Sequence, residues 1–75
     1  MLLEFLANEY HLLVSDLKFN LSIKDIEAIT LPIHNDFFSV EDWNYALSYI
    51  FDEPFSFSSV SEAKEFIIIS SQYLH

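Results

Sequence analysis

The sequence contains no cysteine, no glycine and no arginine. Without cysteine there are no disulfide bonds and no cysteine-ligated zinc site. Without glycine there is no P-loop, no dinucleotide-binding fingerprint and no EF-hand loop, because each of these motifs needs glycine for its tight turn. Tight β-hairpins are disfavoured for the same reason, since their turns need residues with positive φ. These absences favour helices and exclude several classes of nucleotide-binding and metal-binding protein.

Long apolar runs are also missing. The longest run, Phe66 to Ile69, has four residues, whereas a membrane-spanning helix needs about 18 or more. The N-terminus lacks the basic-then-apolar pattern of a secretory signal, because Glu4 directly follows Leu3. We therefore expect a protein that is not embedded in a membrane and that is located in the cytoplasm.

Positive charge is scarce. Twelve acidic residues face three lysines, which gives a net charge of -9. Phosphate backbones are bound mainly through lysine and arginine, so direct binding to nucleic acid or to an anionic membrane is not expected. A negative field attracts cationic partners, although the same charge also keeps a chain with 52% apolar residues in solution. The apolar content argues against disorder and predicts one acidic domain over residues 1–75.

The clearest helix signals lie between Ser39 and Pro54. The Ser39 hydroxyl can accept a hydrogen bond from a free N–H in the first turn, as an N-cap residue does. Asp42, three residues later, suits the positive end of the helix. Pro54 ends the helix, because the residue before a proline is displaced from the α region. The sequence predicts a helix over residues 40–52.

Three further helices are predicted over residues 2–19, 23–30 and 60–74. The first carries a polar stripe at helical spacing opposite a broad apolar face. The other two follow Ser22 and Ser59, each with an acid three residues later, which repeats the capping pattern. Together with the helix over residues 40–52, these segments predict an all-α, four-helix domain.

An α+β fold remains an alternative. Polar and apolar residues alternate strictly from Asp16 to Lys24, which is typical of a strand and places one near residues 13–24. The apolar run near residues 65–70 is rich in β-branched side chains and could form a second strand.

Helical spacing of the apolar residues predicts the hydrophobic core. Phe38 and Trp43 flank the Ser39 cap at the spacing of a hydrophobic staple. The predicted core comprises Leu6, Leu13, Leu17, Ile26, Phe38, Val40, Trp43, Leu47, Ile50, Phe66 and Ile67. Two phenylalanines, Phe55 and Phe57, are expected to pin the loop after Pro54 onto this core.

A second stripe on the helix over residues 40–52 combines tyrosine and acid. It consists of Asp42, Tyr45, Tyr49 and Asp52, at spacings of 3, 4 and 3. Tyrosines at the edge of a core often keep the ring packed and the hydroxyl in water, which would give the stripe a structural role. Tyrosine is also enriched at interface hot spots, and adjacent acids suit a basic partner. The predicted partner-binding residues are Asp36, Glu41, Asp42, Tyr45, Tyr49, Asp52 and Glu53.

No pattern predicts catalysis, a cofactor or a metal site. The histidines, His11, His34 and His75, have neither the i,i+4 spacing nor the accompanying motif of zinc ligands. A catalytic carboxylate needs a concave, partly dry pocket that shifts its pKa, and a domain of this size offers little of one. We expect a protein that is not an enzyme.

In size, acidity and its helix face of tyrosine beside acid, the chain resembles small immunity proteins, antitoxins and phage-encoded inhibitors that bind nucleases. This resemblance of type carries no residue over. It implies a non-enzymatic inhibitor, either an immunity protein, an antitoxin or a phage-encoded anti-defence protein. Such an inhibitor would bind the basic, nucleic-acid-facing surface of a nuclease or nucleic-acid-binding effector. Strict nucleic-acid mimicry ranks lower, because the acids are scattered over several elements. The alternative is a structural subunit or homodimer whose apolar excess is buried by assembly.

Overall fold

The structure is a computed structural model that describes residues 1–73. Five α-helices account for most of this range, and no strand occurs within it. The helices are α1 Leu2–Glu9, α2 Leu17–Asn20, α3 Ile23–Thr30, α4 Val40–Phe51 and α5 Val60–Tyr73, with a short 3-10 turn at Val14–Asp16. The prediction of an all-α fold is confirmed. The four-helix count is wrong, and so are the alternative strands near residues 13–24 and 65–70; the predicted end of the last helix at Leu74 lies outside the described residues.

The predicted first helix, residues 2–19, is broken near its middle. His11 adopts a left-handed conformation with φ of 56°. The His11 N–H donates to the Asn8 carbonyl at 3.3 Å, and the Leu12 N–H donates to the Ala7 carbonyl at 2.9 Å. These two bonds form a Schellman motif, which satisfies the last carbonyls of α1. The chain therefore ends α1 without the glycine that usually occupies this position.

The break moves Leu13 out of the core. Its side chain is 71% exposed, because the backbone at Leu13 is extended and no longer follows the apolar face of α1. Leu17 is fully buried, since α2 begins there and packs against α4. The core assignment is thus wrong for Leu13 and confirmed for Leu17.

Three serines cap helices as predicted. Ser39 accepts a hydrogen bond from the Asp42 N–H at 3.2 Å, and Ser59 accepts one from the Glu62 N–H at 3.1 Å. Ser22 forms a complete capping box with Asp25, in which each side chain accepts a hydrogen bond from the other residue's backbone N–H. These caps fix where α3, α4 and α5 begin.

The core lies where α1 and α2 pack against α4, and α3 and α4 pack against α5. The predicted core is confirmed at Leu6, Leu17, Ile26, Trp43, Leu47, Ile50 and Ile67, which are all buried. Phe38, Val40 and Phe66 are half-buried, and both phenylalanines pack against the core. The other buried residues, which the predicted core list did not contain, are Leu2, Leu3, Ala7, Thr30, Ile33, Ala46, Ala63 and Ser71.

A third face of α4 holds the loop that follows it. The Asn44 side-chain amide donates to the Phe57 carbonyl at 3.1 Å and accepts from the Phe57 N–H at 2.7 Å. One turn further on, the Ser48 hydroxyl accepts a hydrogen bond from the Phe55 N–H at 2.9 Å. The Phe55 and Phe57 rings stack at 5.2 Å, and both pack against the core, as predicted. Between residues 1 and 73, no helix is long and apolar enough to cross a membrane.

Candidate partner-binding surface

The predicted tyrosine–acid stripe lies along one side of α4, and its members differ in exposure. Tyr45 is 57% exposed, in the middle of the stripe. Tyr49 is half-buried and packs against the core. Asp42 is half-buried in the first turn, and Asp52 is exposed at the end of the helix, where φ of 56° places it in the left-handed region. The stripe is therefore exposed to solvent at Tyr45 and partly buried against the core at Tyr49.

Lys18 of α2 occupies the C-terminal half of the stripe. Its ammonium nitrogen lies 5.1 Å from the centre of the Tyr49 ring and 3.4 Å from Asp52 Oδ1. A cation at this distance is attracted to the face of the ring. The ion pair with an exposed carboxylate adds little stability. The position of Lys18 leaves the N-terminal half, around Asp42 and Tyr45, as the unoccupied part of the stripe.

The three other predicted binding acids lie on exposed positions around α4. Glu41 is in the first turn, next to Asp42, and Glu53 follows the helix. Asp36 lies in the loop before α4, where its backbone N–H donates to His34 Nδ1 at 3.2 Å. These acids extend the negative surface beyond both ends of the stripe.

All three lysines contact groups of this same chain. Besides Lys18, Lys24 lies 3.9 Å from the Glu27 carboxylate. Lys64 donates hydrogen bonds to two carbonyls just beyond the end of α3, those of Leu31 and Ile33. Cations near a helix C-terminus are favourable because the carbonyl dipoles point towards them. Each lysine is thus already in contact with oxygen atoms of its own chain.

Several acids, by contrast, have no cation within ion-pair distance. In the described part of the chain, ion pairs involve the carboxylates of Glu4, Glu27, Asp36 and Asp52 alone. Glu41, Asp42 and Glu53, which surround Tyr45 and the ends of α4, have no such partner there. The region around α4 therefore carries uncompensated negative charge.

The structure also contains an apolar groove that the sequence did not indicate. It lies between α1 and the C-terminal part of α3, with a volume of about 440 Å³. Its lining comprises Phe5, Glu9, Ala28, Ile29, Pro32, Ile33, His34 and Phe37. No periodic pattern links these residues, because they come from two helices and a loop. The sequence feature that could have indicated the groove is Phe37, an apolar residue in the loop, whose side chain is 75% exposed.

Residues 1–73 provide little for metal binding or acid–base chemistry. No group of three or more histidine, aspartate or glutamate side chains in this range is placed to hold a metal ion. The Tyr10 hydroxyl, which donates to the Asp25 carbonyl at 3.0 Å, has a raised pKa. Burial is the main cause of that raised pKa, and the charges of Asp25 and Glu9 add to it. His75 lies outside the described residues.

No protein-family model, curated protein or solved structure matches this chain. Its function is therefore inferred from its own residues and their placement.

Proposed function

We propose that this protein is a small acidic, non-enzymatic inhibitor that acts in the cytoplasm by covering a basic, nucleic-acid-facing surface of a partner protein. One observation supports this proposal above the others. All three lysines are engaged by groups of the same chain, whereas Glu41, Asp42 and Glu53 have no cationic partner among the described residues. Acids without cationic partners favour binding to a protein whose own lysines or arginines can pair with them.

The open half of the stripe would form the centre of the contact. Tyr45 offers a rigid ring that can fill a shallow pocket, and tyrosines in such positions carry much of the energy of many interfaces. Glu41 and Asp42 lie beside it on the first turn of α4 and would pair with lysine or arginine of the partner. In the other half, Lys18 would have to move away from Tyr49 before a basic partner could approach.

Charge would act mainly on the rate of association. Opposite fields on the two proteins steer their encounter, which can raise the association rate to about 10⁸–10⁹ per molar per second at low salt. Exposed charges are screened over about 8 Å at physiological ionic strength. Association is therefore expected to slow steeply with added salt, while dissociation depends more on the Tyr45 contact.

Strict nucleic-acid mimicry is less favoured by the same placement. Duplex DNA carries about one charge per 1.7 Å of axis, so a mimic needs most of its carboxylates on one side. Here the acids lie on α1, the 3-10 turn, α3, α4, α5 and the loops between them. Charge complementarity over a limited patch fits this distribution better.

The test starts with capture of partners from the native host on immobilised protein, followed by binding kinetics with the purified partner. Tyr45→Ala should weaken binding by about 30-fold, which corresponds to about 2 kcal/mol, the lower limit for a hot-spot residue. Tyr73→Ala is the matched control, because Tyr73 is also exposed but lies at the end of α5. Equal losses in the two variants, or an association rate that does not change with salt, would contradict the proposal.

A second candidate function is a structural subunit or homo-oligomer. Exposed apolar side chains favour it: Phe19 is 83% exposed, and Ile68 and Ile69 lie on the outer side of α5. Assembly would remove this apolar surface from water and stabilise a small domain. Sedimentation at several concentrations separates the two candidates, since an inhibitor of the proposed kind is expected to be a monomer before it meets its partner.

A further inference from the structure

The groove between α1 and α3 exists because these helices pack on different neighbours. α1 packs against α4, and α3 packs against α5, so the space between α1 and the end of α3 is left open. Phe5 of α1 and Ala28 and Ile29 of α3 line it, and the groove measures about 440 Å³. Binding pockets for small molecules and side chains range from about 300 to 1,000 Å³. The groove is therefore large enough for one or two apolar side chains.

Phe37 forms a ridge at one edge of the groove. A second hollow of about 260 Å³ lies beside it, lined by His34, Asp36 and the same Phe37 ring. The Phe37 ring centroid lies 5.8 Å from that of Phe38, which in turn lies 5.8 Å from that of Phe5. This series of ring contacts holds the exposed ridge in place. A ligand that used both hollows would have to pass over Phe37.

Both hollows carry negative charge at their walls. Glu9 lines the groove, and none of the described cations lies within ion-pair distance of it. Asp36 lines the second hollow. His34 lies beside Asp36: its Nδ1 accepts a hydrogen bond from the Asp36 N–H at 3.2 Å and lies 3.7 Å from Asp36 Oδ2. The site therefore combines apolar surface with carboxylates, and no lysine lines either hollow.

We propose that this double hollow binds a short segment of a basic protein partner, in which an apolar side chain lies next to a lysine or arginine. The apolar side chain enters the groove against Phe5 and Ile29. The basic side chain crosses Phe37 and reaches Asp36 in the second hollow. The carboxylates of Glu9 and Asp36 favour a basic segment, since an acidic or purely apolar segment would leave them unpaired. This proposal rests on the proposed function and adds a second contact to it.

The proposal can be tested by selecting, from a random heptapeptide library, the peptides that bind to the intact protein. Enriched peptides should contain an apolar residue next to a lysine or arginine. Their affinity should fall at least tenfold in Ala28→Gln, which fills the groove without changing the charge, and in Phe37→Ala. Asp36→Asn should weaken the basic peptides and reduce the salt dependence of their binding. Phe19→Ala is the control, because Phe19 is an equally exposed phenylalanine outside the groove.

The outcomes distinguish this proposal from the proposed function. If no peptide is enriched, or if the enriched peptides contain no basic residue, the double hollow is refuted as a binding site, whereas the proposed function is judged separately by Tyr45→Ala and by the salt dependence of partner association. If basic peptides bind but lose affinity in Tyr45→Ala and keep it in Ala28→Gln and Phe37→Ala, the groove is not the site and the proposed function stands. Loss in the groove variants with no loss in Phe19→Ala supports the double hollow.

Discussion

The buried indole of Trp43 provides the sharpest test of how this fold is held together. Its side chain is fully buried among the residues of α4 and its neighbours. The Nε1–H group of the indole has no hydrogen-bond partner within the described residues. The Lys64 ammonium lies 5.9 Å from the centre of the ring, at the outer limit of a cation–π contact. Trp43 thus contributes large apolar burial and, at the same time, an unsatisfied polar atom.

Two substitutions separate these contributions. Trp43→Ala removes the whole ring and should cost about 3–5 kcal/mol, as large aromatic truncations in a core do. A domain of 75 residues has a total stability of about 4–11 kcal/mol, so this variant should be partly or wholly unfolded. Trp43→Phe keeps a six-membered ring and removes the unsatisfied N–H, whose burial costs about 1–3 kcal/mol. The gain offsets part of the lost packing, so Trp43→Phe should cost less than about 2 kcal/mol.

Urea unfolding followed by far-ultraviolet circular dichroism measures both variants, since the only tryptophan is lost in each of them. The wild-type protein, measured in parallel by tryptophan fluorescence and by circular dichroism, tests whether α4 unfolds together with the other helices. A cost for Trp43→Phe equal to that of Trp43→Ala would show that the indole N–H is satisfied or that the pyrrole ring fills an essential space. Full stability of Trp43→Ala would refute the placement of Trp43 in the core.

Three further predictions concern the remaining polar and backbone features. Asn44→Ala should cost about 1–3 kcal/mol in urea unfolding, because it leaves two half-buried backbone groups of Phe57 without partners, and hydrogen exchange at Phe57 should rise. The pKa of Tyr10 is raised in the folded protein, so as pH rises the unfolded chain loses the hydroxyl proton first. The stability that this proton contributes is complete below the unfolded pKa of about 10 and is lost as pH rises through the folded pKa. Tyr10→Phe should abolish this loss of stability at high pH. His11→Gly should stabilise the protein by up to about 1 kcal/mol and raise its thermal midpoint, because glycine adopts the left-handed conformation without strain, whereas His11→Val should lower the midpoint.

Capping chemistry explains why the helix starts could be predicted from the sequence. A serine cap and the acid three residues after it act within one turn, so their effect depends little on the rest of the fold. Helix α4 was predicted over residues 40–52 and is observed as Val40–Phe51, and the start of α3 was predicted at its first residue. The stripe of apolar residues on α4 likewise predicted which of its faces is buried.

Helix ends were harder to predict because the chain has no glycine to mark them. His11 and Asp52 both take the left-handed conformation after a helix, a position that glycine usually occupies. The apolar pattern of residues 2–19 continues through the break, so periodicity alone indicated one long helix. The actual ends depend on how Leu12 and Leu17 reach the core, and that is a property of the tertiary structure.

The candidate site was predictable in part for the same reason. The tyrosine–acid stripe lies on a single helix, so its spacing could be read directly from the sequence. The cation over Tyr49 comes from Lys18 on another helix, and the groove at Phe37 needs α1, α3 and a loop together. Contacts between distant segments leave no local pattern, and they were missed.

Charge and stability are linked in this protein through the three lysines. Lys18 joins α2 to α4, Lys24 lies beside the Glu27 carboxylate that accepts a hydrogen bond from Ser71 of α5, and Lys64 joins α5 to the end of α3. Each cation thus lies at or beside a contact between helices, where it cannot also neutralise acids elsewhere on the surface. The Lys18 contact with the Tyr49 ring and the Lys64 hydrogen bond to the Leu31 carbonyl link helices, whereas the exposed ion pairs add little stability. The same three lysines therefore contact groups of their own chain and leave Glu41, Asp42 and Glu53 without a described cationic partner, which is the arrangement on which the proposed function rests.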